Sequence, residues 1–206
     1  MRERSRFPLS ITPAVAAAIL LACGPAHGQA SPDASTRARE PSPAVASTAR
    51  ADSGPELQRL NALAGHWTVR QSMWTDPAKP PAIDVGEATL TPVLGGRHLR
   101  QDLRIDSPAG AFRGLGYLGY DLATRRYDSL WMDVNFTGMI LAHGSYDPSR
   151  RTYELTGAMP DPHHAGATLP LREVMRVPDA DHFTYEYYEH HDGREMLAVR
   201  LEYTRR

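Results

Sequence analysis

The amino-acid sequence predicts an all-β protein: one antiparallel up-and-down β-barrel of about 8–10 strands behind a short N-terminal helix. Three observations carry this expectation. From Trp67 onward the chain is a succession of short segments in which apolar and polar residues alternate. Turn signals separate the segments at short intervals, and two turns echo each other: GYDLATRRY at residues 119–127 and SYDPSRRTY at residues 145–153. No long helical pattern intervenes, so consecutive strands pair as hairpins. A meander with one buried face then loses its unpaired edges by closing on itself.

The elements follow in order. Arg2, Arg4 and Arg6 precede an apolar run, ITPAVAAAILLA at residues 11–22. That run is shorter than the roughly 20 apolar residues a permanent membrane helix needs. Gly28 and Ala30 supply small residues for cleavage before Ser31. Residues 1–30 are read as a secretory signal peptide, which makes the protein exported, periplasmic or secreted. The run LLAC at residues 20–23 also matches a lipobox, in which cleavage precedes a cysteine that is then acylated. Cys23, the only cysteine of the chain, would then carry a lipid anchor. Both processing routes stay open at this point.

Residues 31–54 are rich in Ala, Ser, Pro and Arg and contain one large aliphatic residue, Val45. Such a composition buries too little apolar surface to offset its ordering entropy, and it is read as a disordered linker. Ser53-Gly-Pro-Glu56 has capping-box spacing with a proline in the first turn, and ELQRLNAL continues it as a short helix. The domain proper is residues 55–206. Its strands are read from WTVRQSMW, EATLTPVL, RHLRQDLRI, GAFRGLGYLGYD, RYDSLWMDV, GMILAHGSYD, RTYELTGAM, LREVMRV, HFTYEYYEHH and REMLAVRLEYT.

The first strand opens on Gly65-His66-Trp67 directly after the helix, and the chain closes on YTRR. This resembles the G-x-W start of the calycin group, which includes the lipocalins. The resemblance implies that Trp67 plugs the closed end of the barrel. It also implies that Arg205 or Arg206 packs on the indole, a cation–π contact worth about 1 kcal/mol or more when desolvated. Gly65 would then leave room where the chain passes close to the floor. LAGHW, GGRHLRQD, GLGYLGYD, YDSLWMD, GSYDPSRRTYELTG and the closing EYTRR together resemble a secreted bacterial lipocalin-like family known as a domain of unknown function. That likeness covers residues 57–206, implies a calycin-like barrel, and brings no assigned catalytic residue with it.

Composition narrows the chemistry. With 23 basic and 24 acidic residues the formal net charge is −1, which gives no reason to expect nucleic acid or an anionic membrane as partner. Beyond the leader there is no cysteine for a disulfide, a thiol nucleophile or a thiolate metal site. The pairs His163-His164 and His190-His191 lack metal-site spacing, since neighbours on a strand face opposite ways, and no metal or other cofactor is expected. No G-x-S-x-G and no phosphate loop opening a helix is present; the glycines of GLGYLGY are read as permitting curvature.

Candidate ligand-binding residues come from polar groups on apolar faces. Trp131 and Asp133 share a strand face with Tyr127 and Ser129, which makes that face either a cavity wall or an outer surface. Gln101 sits among Leu99, Leu103 and Ile105, and His143 shares a face with Met139 and Leu141. Arg172, Arg176, Tyr185, Tyr187 and Tyr188 cluster on late strands, with Tyr187 expected inward beside Tyr185 and Phe183. The expected lining is Gln101, Tyr117, Trp131, Asp133, His143, Arg172 and Tyr187, around a small, partly apolar ligand. Two alternatives accompany this reading. One is an enzyme with Asp133 or His143 as acid or base. The other is a filled barrel serving as an interaction module.

Overall fold

The computed structural model describes residues 54–206, apart from Ala109, Pro162, His163, Ala165 and Asp192. The leader, the lipobox, the linker and Ser53 lie outside the described residues. Helix α1 spans Pro55–Asn61 and turns Leu57 and Leu60 inward, followed by Leu63; all three are buried. Its N-cap is Gly54, whose carbonyl accepts from the Gln58 N–H at 3.1 Å, and no side chain caps it. The described start is made by the backbone and Pro55, whose missing N–H costs nothing in a first turn; the expected capping box involves Ser53 and lies outside the described residues.

Ten strands follow: β1 Gly65–Met73, β2 Ala82–Val93, β3 His98–Ser107, β4 Gly110–Asp121, β5 Arg126–Asp133, β6 Phe136–Asp147, β7 Thr152–Pro160, β8 Thr168–Arg176, β9 His182–His191 and β10 Arg194–Arg205. Each pairs antiparallel with the next, and β1 pairs with β10 from Trp67 opposite Arg205 to Met73 opposite Val199, closing the barrel. Among the described residues no helix is long and apolar enough to cross a membrane.

The closed end is built from the residues the resemblance singled out. Trp67 is fully buried, meets Phe183 edge-on at 4.7 Å and donates its indole N–H to the Leu63 carbonyl at 3.0 Å. The Arg205 guanidinium lies 4.2 Å over the indole and donates to the carbonyls of Ala62 and Ala64 at the end of the helix. Arg206 instead reaches Glu87 on the outer wall at 3.0 Å. Gly65 has φ +141°, and a Cβ there would stand 2.5 Å from Arg205 Nη1. Both conformation and space require glycine.

The two echoing turns build the rest of the floor. Asp121 and Asp147 each accept a backbone N–H two residues on, from Ala123 and Ser149 at 2.8 Å. Each turn then places a tyrosine on both flanking strands, Tyr120 opposite Tyr127 and Tyr146 opposite Tyr153. These four rings pack with centroids 4.6–4.9 Å apart. Arg59 of the helix covers Tyr146 at 4.3 Å and donates to the Tyr127 hydroxyl at 2.7 Å, tying the helix to the barrel.

Candidate functional site

Above this floor, inward side chains change character. Near the helix they are fully buried. Toward the opposite end Phe112, Trp131, Phe136, Met159, Tyr187 and Val199 are inward yet only half buried, so they line an open cup. The glycines of β4 explain how the cup keeps its width. Gly114 and Gly116 face inward beside Trp131, and a Cβ on Gly114 would stand 2.1 Å from the indole, one on Gly116 3.1 Å. These glycines let the indole lie flat on the wall, where Phe112 stacks at 6.4 Å and 16°. Their use is steric accommodation of a cross-strand neighbour.

The polar groups of the lumen form connected pairs. Trp131 donates to Asp133 at 2.9 Å, and the second Asp133 oxygen accepts from the Asn135 N–H at 2.8 Å. Gln101 donates to the Tyr203 hydroxyl at 2.8 Å. The Tyr187 hydroxyl points at Met159 Sδ, 3.0 Å away. At the base of the cup Glu173, only 3% exposed, accepts from the Ser129 hydroxyl at 2.7 Å and from Tyr185.

Four of the expected lining residues, Gln101, Trp131, Asp133 and Tyr187, point into the lumen. Three do not. Tyr117 lies on the outer wall opposite Arg100 and Leu130, because its neighbours Gly116 and Leu118 take the inward positions of β4. His143 is exposed on the outer wall opposite Asp128. The face it shares with Met139 and Leu141, each 60% exposed, is the outside of the barrel, while Ile140 and Ala142 face in. Arg172 is also outside, bound to Glu195 at 2.6 Å and stacked 4.2 Å over Tyr188. Asp133 and His143 therefore stand on opposite sides of the wall and cannot converge as an acid–base pair. Among the described residues no group of three or more His, Cys, Asp or Glu is placed to hold a metal.

Glu173 and Gln71 join the site without having been anticipated there, while Ser129 and Tyr185 stand on the faces expected for them though outside the expected lining. Strict alternation through Leu171, Glu173 and Met175 was the available signal. It pointed to a carboxyl in the core, which is costly unless hydrogen-bonded. Burial outweighs the hydrogen bonds from Ser129 and Tyr185 and raises the Glu173 pKa above its ordinary 4.5. The folded state thus holds this proton more tightly than the unfolded chain. Its stabilisation is complete below the ordinary glutamate value and is lost as pH rises through the folded one. Glu173→Gln is accordingly expected to gain stability over the wild type as pH rises, by about 1–2 kcal/mol at pH 8. Urea unfolding of both proteins between pH 4 and 8 measures this, and a constant difference across the range would contradict it.

A groove of about 790 Å³ lies near the start of the helix, with Leu57, Tyr117, Tyr120, Leu122, Ser129 and Leu130 among its lining. It shares none of the cup's aromatic residues.

A ten-stranded antiparallel meander, sealed at one end by a tryptophan–arginine stack and open at the other over a half-polar cup, is a lipocalin-like barrel. The family described as "Protein of unknown function (DUF1579)" matches residues 52–205, and the chain belongs to it. Among solved structures the chain is similar to Rv2717c from M. tuberculosis, at 18% identity and a TM-score of 0.53 over 74% of this chain and 98% of that one. A redesigned β-barrel matches at 10% identity and a TM-score of 0.38, over 72% and 95% of the two chains. At these identities the likeness concerns the fold alone. No curated protein matches the sequence.

Proposed function

We propose that the protein is an exported binding protein that holds a small, partly apolar molecule in the cup. One observation carries this reading. The lumen is packed near the helix but lined farther up by inward, half-buried aromatic and polar side chains around a hydrogen-bonded carboxyl at its base. Ligand sites combine largely apolar walls with a few placed polar groups in this way. A barrel serving only as a filled module would continue its packing to the rim. Export rests on the leader-like residues 1–30.

Native and denaturing mass spectra of the protein purified from its own host test both parts. Extra mass in the native spectrum alone supports a bound ligand and identifies it. A native mass equal to the denatured mass counts against tight binding. The denaturing mass also shows whether the mature chain starts at Ser31 or at an acylated Cys23; a chain starting at Met1 would overturn export.

A further inference from the structure

We propose that the cup selects a planar conjugated molecule with an amide-like edge, in which a ring N–H donor stands beside a carbonyl acceptor. This rests on the reading of the cup as a binding site and adds the shape and the hydrogen-bonding edge of its ligand.

Trp131 supplies a face. Its ring lies flat against β4 because Gly114 and Gly116 carry no side chains there; a Cβ would stand 2.1 Å from it at Gly114 and 3.1 Å at Gly116. Phe112 continues the surface at 16° to the indole, with centroids 6.4 Å apart. The indole N–H is held by Asp133 at 2.9 Å, which fixes the orientation of the ring. Trp131 is still only half-buried, and among the described residues no ring other than Phe112 stacks on it. A flat, fixed aromatic surface is thus turned to the lumen. A planar conjugated molecule covers it over a whole face, whereas a puckered aliphatic body touches it at a few atoms.

Gln71 supplies the edge. Its strand, β1, stands nearly opposite β5 in the ten-stranded ring. Gln71 is inward and only 9% exposed, with Leu201 on one side and Asp84 on the other. Its side-chain amide has no hydrogen-bond partner among the described residues, although a buried amide is costly to leave unpaired. A primary amide offers an N–H and a carbonyl side by side. A cation would take the carbonyl and strand the N–H, and an anion would do the reverse. A lactam edge answers both at once, and Asp84 adds an acceptor beside it.

The acids lower in the lumen and on the aromatic wall are already engaged. Asp133 is bound by Trp131 and by the Asn135 N–H, and Glu173 by Ser129 and Tyr185. The Tyr187 hydroxyl has the Met159 thioether, a weak acceptor, as its partner, so a second uncharged group can turn to a ligand.

The test uses three uncharged probes of one skeleton, titrated calorimetrically into the full mature protein: 2-quinolone, N-methyl-2-quinolone and octahydro-2-quinolone. The first has both plane and edge. The second keeps the plane and loses the N–H; the third keeps the lactam and loses the plane. 2-Quinolone is expected to bind about tenfold or more tighter than either relative. Gln71→Met is expected to bring 2-quinolone and its N-methyl derivative within about twofold of each other. Trp131→Leu is expected to do the same for 2-quinolone and the octahydro compound. The comparison of probes on the unaltered protein holds even if a variant folds poorly. Equal or tighter binding of either relative would overturn the proposal, and so would absence of binding by all three. The binding reading itself stands or falls separately, on the native mass spectrum.

Discussion

Trp67→Ala is expected to cost about 4 kcal/mol of folding stability, the scale for a fully buried large aromatic residue. The indole makes three kinds of contact at once. It fills the floor against Phe183 and Tyr203, donates to the Leu63 carbonyl, and carries the Arg205 guanidinium on its face. Its removal strands a buried carbonyl and leaves the arginine without its aromatic support. Trp67→Phe keeps the apolar filling and the ring face but not the N–H, so it should cost about half as much. Urea titrations followed by far-ultraviolet circular dichroism measure both. A loss below about 1.5 kcal/mol for the alanine variant would mean that the floor can collapse around the vacancy.

Gly114→Ala should also be strongly damaging, and its effect should reach the cup. The added methyl group would occupy space 2.1 Å from Trp131 Cζ2 and 2.3 Å from Cη2. The indole cannot stay flat on the wall, so it must swing into the lumen or the β4–β5 ladder must open. Overpacking of this kind costs about 1–3 kcal/mol. The displaced ring would also break its hydrogen bond to Asp133 and its stack on Phe112. Gly116→Ala is the graded comparison, because its methyl group would sit 3.1 Å from the same ring, where a small shift suffices. Thermal unfolding and tryptophan emission should rank the proteins wild type, Gly116→Ala, Gly114→Ala. Equal effects would mean that the indole is not held against the wall.

What could be read in advance divides along a physical line. Strand positions and the closed end were legible because they rest on local features: turn residues, period-two alternation, a glycine and tryptophan at the first strand, an arginine at the last. Which face of a strand turns inward was legible only where one face is clearly apolar, as with Leu99, Leu103 and Ile105. In the middle of β6, between Gly138 and Gly144, both faces are apolar, and Met139 and Leu141 lie outside. The inner face carries small residues, Gly138, Ala142 and Gly144, alongside Ile140. His143 followed its bulky neighbours to the exterior.

On β4 the inward choice was decided by a residue of the next strand. Gly114 and Gly116 face in because Trp131 needs the space, and that sent Tyr117 outside. No single-strand pattern contains this information. Arg172 and Glu173 are neighbours on β8 and necessarily face opposite ways. The arginine finds Glu195 and Tyr188 outside, while the acid is retained within by partners on β5 and β9. Pairings across the lumen, far apart along the chain, lie beyond what alternation reveals.

The closure of β1 on β10 also shapes the order of assembly. Every other ladder joins neighbours along the chain and can form as a local hairpin. The seam alone waits for residues at opposite ends of the domain, Trp67 and Arg205, to meet. Loop-closure entropy grows slowly with length, but contacts between such distant residues slow the search. Until they form, the meander is an open ribbon with two bare edges, the state most exposed to pairing with another chain. The tryptophan–arginine stack sits at this seam, so the contact that seals the floor is also the latch that ends that vulnerable interval.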